Sequence, residues 1–183
     1  MAPNWFIAFP MQVEGLRIHP SPPPRVRVFG TLDLHITLGF LGPVPEADAR
    51  RAWDGIGGFP SFRRVTGSFA GVEPLGHREK PSALCALVDA GRAPLVDMIA
   101  EARGPLLGEA GAPEDHRPPL PHMTLARIQR RATAAERRHA LRWAHTIDLR
   151  AVTFTVASVA LYTWADDRRE RLFQIVERHE LGS

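Results

Sequence analysis

The chain has 183 residues, 44% of them hydrophobic and 23% charged, with a formal net charge of +3 and a pI near 9.9. These are the proportions of a soluble globular protein, long enough for one compact domain over 1–183 with a substantial core. A single cysteine, Cys85, excludes an internal disulfide and a cysteine-based zinc site, and suits a reducing cytoplasm. The amino-terminal segment lacks a basic leader, and the longest uncharged run, Ala151 to Ala165, is shorter than a membrane span.

In chain order, Trp5 to Phe9 reads as a first strand, followed by an unassigned segment from Gln12 to Ile18. A proline run, His19 to Pro24, forms a stiff loop that blocks a helix. Arg25 to Phe29 reads as a strand, and a further strand runs from Leu32 to Leu41 until Gly42-Pro43-Val44-Pro45 stops it. A helix is expected over Glu46 to Ile56, with carboxylates in its first turn where the helix dipole favours them. Phe62 to Val72 and Ser82 to Val88 read as strands. Pro94 to Arg103 carries Leu95, Met98, Ile99 and Ala102 at helical spacing, and Gly104-Pro105 is expected to end or kink that helix. A loop over Gly108 to Pro119 leads into another strand. Thr133-Ala134-Ala135-Glu136 has the form of a capping box for a helix reaching about His145. Three strands, Val152 to Val156, Ser158 to Thr163 and Leu172 to Val176, close the chain as an expected meander.

Two of these strands carry the same tetrapeptide, His35-Ile36-Thr37-Leu38 and His122-Met123-Thr124-Leu125. With 8 His, 9 Thr and 18 Leu in the chain, His-x-Thr-Leu is expected about 0.04 times by chance. Alternation along a strand places each His and Thr on one face and the apolar residues on the other. Each copy is followed by a helix and further strands. That order points to an α+β fold of two pseudo-symmetric lobes with mostly antiparallel sheets, facing a central cleft, helices outside.

Facing lobes would bring two imidazoles and two hydroxyls to one cleft. Imidazole titrates near neutrality, so one ring can take a proton from an attacking oxygen while the other gives one to a leaving oxygen. Threonine hydroxyls can donate to the non-bridging oxygens of a phosphate. A His-Asp-His metal site can be drawn with Asp33 or Asp115, but it leaves both threonines unused, and no His-Glu-x-x-His is present. Gly55-Ile56-Gly57-Gly58 follows a helix and is no dinucleotide fingerprint, and no phosphate-binding loop occurs. No metal and no cofactor are expected. From Arg117 to Arg150, eight arginines stand against Glu136 and Asp148, a local net of +6 that leaves −3 elsewhere. Such a surface would attract a phosphate-bearing partner, although arginine bias accounts for it as well: Lys80 is the only lysine.

The doubled motif, in Leu34-His35-Ile36-Thr37-Leu38-Gly39-Phe40-Leu41-Gly42 and Pro121-His122-Met123-Thr124-Leu125-Ala126-Arg127, resembles the two-histidine phosphoesterase superfamily. It is most similar to the bacterial RNA 2′,3′-cyclic phosphodiesterases, or 2′-5′ RNA ligases. Phe6-Ile7-Ala8-Phe9 and Leu161-Tyr162-Thr163 resemble the family's flanking strands, so the likeness spans the chain. The resemblance implies metal-free opening of a 2′,3′-cyclic phosphate to a 2′-phosphomonoester, and ATP-independent 2′-5′ joining when an RNA 5′-hydroxyl replaces water. It casts His35 as the acid for the departing 3′ oxygen, His122 as the base, and Thr37 and Thr124 as phosphate ligands. Partners would be RNA or nucleotides with 2′,3′-cyclic phosphate ends, tRNA fragments among them, with no membrane, met by a monomer in the cytoplasm. Arg127 matches the family's arginine five residues after the second His. Strict alternation turns it away from His122 unless the strand ends or bulges, whereas Arg130 has the favourable parity. The family's long helix between the first strand and the first motif has no room here.

Phe40 could stack on a base near the cleft, but alternation assigns it to the core with Leu38; Tyr162 stays open between core and cleft. His145 sits near a helix end, where a cation is favoured anyway, and the other five histidines have no motif. Two further readings stand beside the first. One is a sister phosphodiesterase acting on ADP-ribose 1″,2″-cyclic phosphate or RNA 3′ ends; the other is an RNA- or nucleotide-binding module without turnover.

Overall fold

The computed structural model describes residues 3–77 and 79–182. Met1 and Ala2, at the start of the segment that lacks a basic leader, lie outside the described residues. Among the described residues the architecture is α+β, three α-helices on a largely antiparallel set of nine strands. β1 (Trp5–Glu14) pairs with three other strands, two along its first half and one along its second. β2 is Val26–Val28, β3 is His35–Gly42, and α1 is Glu46–Asp54. β4 (Val65–His77) and β5 (Lys80–Val88) follow, then α2 (Arg92–Glu109), β6 (His122–Ile128) and α3 (Ala134–Ala144). β7 (Thr153–Val156), β8 (Ser158–Trp164) and β9 (Phe173–Glu180) complete the set.

The strands fall into two halves, β3-β1-β8-β9 and β2-β6-β5-β4; β3 ends the first, and β6 lies between the short β2 and β5 in the second. The halves meet at one end through Ile36 opposite Met123, and at the other through β7, which pairs with both β1 and β4. The main core lies on one side and includes Ile36, Leu38, Met123 and Leu125. On the other side a separate small cluster forms from Phe6, Ala8, Ala160 and Tyr162, with Phe173 and Ile175 packed on it. β1 is buried from Trp5 through Phe9 because it is covered on both faces.

Several expectations need correction. β1 does not stop at Phe9 but takes in Gln12 to Glu14, stabilised by pairing with β7. The first motif strand begins at His35; a 3-10 turn over Thr31–Asp33 precedes it. α2 runs through Gly104-Pro105 to Glu109, because Leu106 and Leu107 both bury against the core and hold the last turns in place. Residues 108–109 therefore belong to the helix and not to the loop. β7, β8 and β9 form no simple meander: β7 and β8 share no ladder and lie in succession along β1, while β8 and β9 pair as a hairpin. Between β1 and β3, no α-helix occurs among the described residues. The expected capping box at Thr133 is present, with Glu136 N–H donating to Thr133 Oγ1 and Thr133 N–H to the Glu136 carboxylate.

Candidate active site

The site begins with a defect shared by the two motif strands. In β3, Gly39 pairs with Ile7 and Thr37 with Ala8, so Leu38 has no partner. In β6, Ala126 pairs with Leu84 and Thr124 with Cys85, so Leu125 has none. The fourth residue of each tetrapeptide is therefore a β-bulge, where two residues of one strand oppose one of its neighbour. Beyond the bulge the alternation is reset. Both strands consequently have one burial sequence: half-buried His, buried apolar residue, half-buried Thr, buried Leu, a buried small residue, then an exposed side chain. That small residue is Gly39 or Ala126, and the exposed one is Phe40 or Arg127.

Two parity readings change as a result. Phe40 is not a core residue: it is 56% exposed and lines the cleft. Arg127, which strict alternation turned away, lines the same cleft. Arg130 sits on the exposed turn after β6, outside that lining, where its carbonyl accepts from Arg137.

Ile36 stands opposite Met123, and this antiparallel pairing brings His35 and Thr37 of β3 near His122 and Thr124 of β6. Directly opposed residues of such a ladder lie about 5 Å apart at Cβ. Both imidazoles are held alike. His35 Nδ1 lies 2.7 Å from the carbonyl oxygen of Asp33, and His122 Nδ1 lies 2.7 Å from that of Leu120. A carbonyl can only accept, so Nδ1 carries the hydrogen and Nε2 is left for chemistry in both rings.

The surroundings of the two rings differ. His35 sits in an aromatic cage, its ring centroid 5.0 Å from that of Phe6 and 5.5 Å from those of Tyr162 and Phe173. Burial there pushes its pKa down to about 4, against the Asp33 carbonyl bond, with the charges of His122 and Arg127 adding to the fall. The pKa of His122 is also lowered, first by burial and then by Arg117, Arg127 and Arg103, with the Leu120 carbonyl opposing. The side chain of Asp33 is engaged as well, since its buried carboxylate accepts from Leu172 N–H at 2.9 and 3.0 Å and Phe173 N–H at 3.1 Å. One residue thus orients His35 and anchors the strand that supplies part of its cage.

A cavity of about 390 Å³ opens beside these strands, lined by His35, Thr37, Phe40, Arg127, Arg27 and Trp164 among others. His122 and Thr124 stand next to it on β6 without lining it; Thr124 Oγ1 is 3.5 Å from the Cys85 thiol. The cavity mixes arginines with aromatic surfaces. Arg168 stacks 4.6 Å over Trp164, and Arg27 donates to the Arg168 carbonyl. Such a lining suits a phosphate joined to a flat heterocycle.

Among the described residues, no group of three or more His, Cys, Asp or Glu side chains is placed to share a metal ion. The carboxylates considered for one are engaged elsewhere, Asp33 with β9 and Asp115 with Arg117 and Arg103. Also among the described residues, no helix is long and apolar enough to cross a membrane.

Sequence reasoning preferred the core for Phe40 over a cleft role, and missed the cage and the anchoring role of the Asp33 carboxylate. Phe40 alone had a legible signal, since it occupies in the first copy the place of Arg127 in the second, five residues after the His.

A doubled His-x-Thr strand pair across two half-sheets defines a class, and comparison with known proteins agrees. The chain belongs to the 2′-5′ RNA ligase superfamily, whose family model matches residues 8–168. Solved structures with the same fold include E. coli LigT complexed with 3′-AMP (18% identity, TM-score 0.69) and a crystal structure described only as that of a phosphoesterase (18%, TM-score 0.68). In both cases the whole of each chain is covered. A Thermus thermophilus protein matches at 18% identity and TM-score 0.62, over 98% of this chain and 99% of its own. No curated protein sequence matches significantly.

Proposed function

We propose that the protein is a metal-independent RNA 2′,3′-cyclic phosphodiesterase that yields a 2′-phosphomonoester, with ATP-independent 2′-5′ RNA ligase capacity. One observation carries this reading. Two imidazoles on neighbouring strands each commit Nδ1–H to a carbonyl and keep Nε2 free, beside a cavity lined by His35 and Thr37. In the proposed reaction His122 Nε2 takes a proton from water as its oxygen attacks phosphorus. The bond from phosphorus to the 3′ oxygen breaks, and His35 Nε2–H protonates that oxygen. Thr37 and Thr124 donate to the non-bridging oxygens, and Arg127 offsets their charge. An RNA 5′-hydroxyl in place of water leads to a 2′-5′ linkage.

In the free protein burial disfavours the protonated form of His35. A cyclic phosphate carries a negative charge, so its arrival next to the ring favours protonation and readies the acid as substrate binds. The LigT structures complexed with 3′-AMP and with NADP+ support a nucleotide-binding cleft in this fold. The enzyme is taken to act as a monomer on cytoplasmic RNA ends.

The test is a product-resolved assay on RNA ending in a 2′,3′-cyclic phosphate, with EDTA present. The expected product is the 2′-phosphate alone. H35A and H122A should each lower the rate by about 10²-fold or more while remaining folded. Wild-type rates in either variant, or a 3′-phosphate product, would overturn the reading. ADP-ribose 1″,2″-cyclic phosphate and RNA 3′ ends belong in the same panel, where preferential turnover would move the assignment to a sister activity.

A further inference from the structure

A second cavity, of about 360 Å³, lies next to the first, and Phe173 is common to both walls. Phe6 lines the first and Tyr162 and Ile175 line the second, and all three belong to the small aromatic cluster that is separate from the main core. The phenyl ring of Phe173 is 5.5 Å from the His35 imidazole, so the second cavity begins one side chain away from the reacting group.

Its lining has an uncommon composition. Arg171 and Arg178 are present and no carboxylate is. Among the described residues, neither guanidinium forms an ion pair, whereas Arg50, Arg51, Arg103, Arg117 and Arg150 all do. At the rim stands Leu32, 74% exposed, an apolar side chain the fold leaves uncovered. Gln12 adds an amide that can both donate and accept. Unpaired arginines recognise a phosphodiester, and exposed apolar or aromatic side chains offer a platform for a base. A volume of this size accommodates a ligand of nucleotide dimensions.

We infer that the second cavity binds the nucleotide preceding the cyclic-phosphate end, with its phosphodiester on Arg171 and Arg178 and its base against Leu32 and Phe173. The inference rests on the proposed reading of the first cavity as the cyclic phosphodiesterase cleft. It makes the enzyme selective for oligonucleotide ends over free cyclic mononucleotides. Phe173 then has two roles, closing the cage on His35 and dividing the terminal nucleotide from its neighbour.

The experiment compares 2′,3′-cyclic AMP with the dinucleotide ApA ending in a 2′,3′-cyclic phosphate, for the wild-type chain and for R171A/R178A. Two charge-assisted contacts predict a kcat/KM about tenfold or more higher for the dinucleotide in the wild type. The variant should lose that advantage while opening the mononucleotide at a rate within about twofold of wild type. Titration with ApA 2′-phosphate and with 2′-AMP measures the same preference without turnover. Equal kcat/KM and equal affinity for the two lengths, or a variant that lowers both alike, would overturn the inference. A variant defective only in joining, with dinucleotide opening intact, would assign the cavity to the incoming strand and overturn it too. Failure to open either substrate would instead refute the reading of the first cavity, and the titration would still decide the second.

Discussion

β3 and β6 share a tetrapeptide, a bulge and a burial sequence, yet they hold their histidines in different media. His35 lies among Phe6, Tyr162 and Phe173, and its supporting carbonyl belongs to a residue whose carboxylate is locked onto β9. His122 is supported by the carbonyl of Leu120, itself 37% exposed, at the end of a loop rich in glycine and proline and close to Arg117 and Arg103. Position five after the His repeats the contrast, with Phe40 in one strand and Arg127 in the other. The backbone of the site is therefore duplicated while its chemistry is not. One half supplies an apolar, rigid wall and the other supplies positive charge.

That asymmetry can be broken from both ends. The largest effects belong to the imidazoles, which the two halves have in common. H35A/H122A should be little slower than either single variant, because removing one partner already disables the proposed acid–base pair; single-turnover rates of the three variants check this.

Next comes Arg127. R127A should lower kcat/KM by about 10- to 100-fold through lost charge-assisted contact with the phosphate, whereas F40A, at the matching place, should raise KM several-fold with kcat kept. Steady-state kinetics on one cyclic-phosphate RNA separates the two. Equal effects would mean that the halves are interchangeable.

A third step targets the anchor that β6 lacks. D33N removes one of the two carboxylate oxygens that receive the Leu172 and Phe173 amides and should cost about 1–3 kcal/mol in urea unfolding. Loosening Phe173 should also move the pH dependence of kcat/KM upward, as His35 regains contact with water. L120A keeps its backbone carbonyl and should change stability by less than about 0.5 kcal/mol.

The last test is a slope. His35 is held below its ordinary pKa, so between pH 6.5 and about 4 the unfolded chain binds a proton that the folded one refuses. Stability should be at its full value above pH 6.5 and decline as pH falls through that window. Replacing the imidazole, as in H35N, should flatten that part of the curve, measured by denaturant titration at successive pH values.

Much of the molecule was legible in its sequence because the information was local. The duplicated tetrapeptide, the capping box at Thr133, and the strand character of 5–9, 82–88 and 158–163 all rest on side-chain periodicity or on contacts within four residues. Other features depend on what lies across space. Alternation counts residues along one strand and has no knowledge of a partner, so it could not reveal that Leu38 has no partner on β1 and Leu125 none on β5. That one-residue slip decides where Phe40 and Arg127 point. The continuation of α2 through Pro105 follows from burial of Leu106 and Leu107 against strands distant in sequence.

The sequence by itself determined that two His-x-Thr strands exist and that their polar residues share a face, because a strand's geometry repeats every two residues. Only the tertiary structure decided which groups accompany them: the aromatic cage, the Asp33 clamp, the arginine turned inward, and the neighbouring cavity with Arg171 and Arg178. Each is assembled from segments of the chain far apart in sequence, and pairing and packing between those segments, rather than the pattern within any one of them, set their positions.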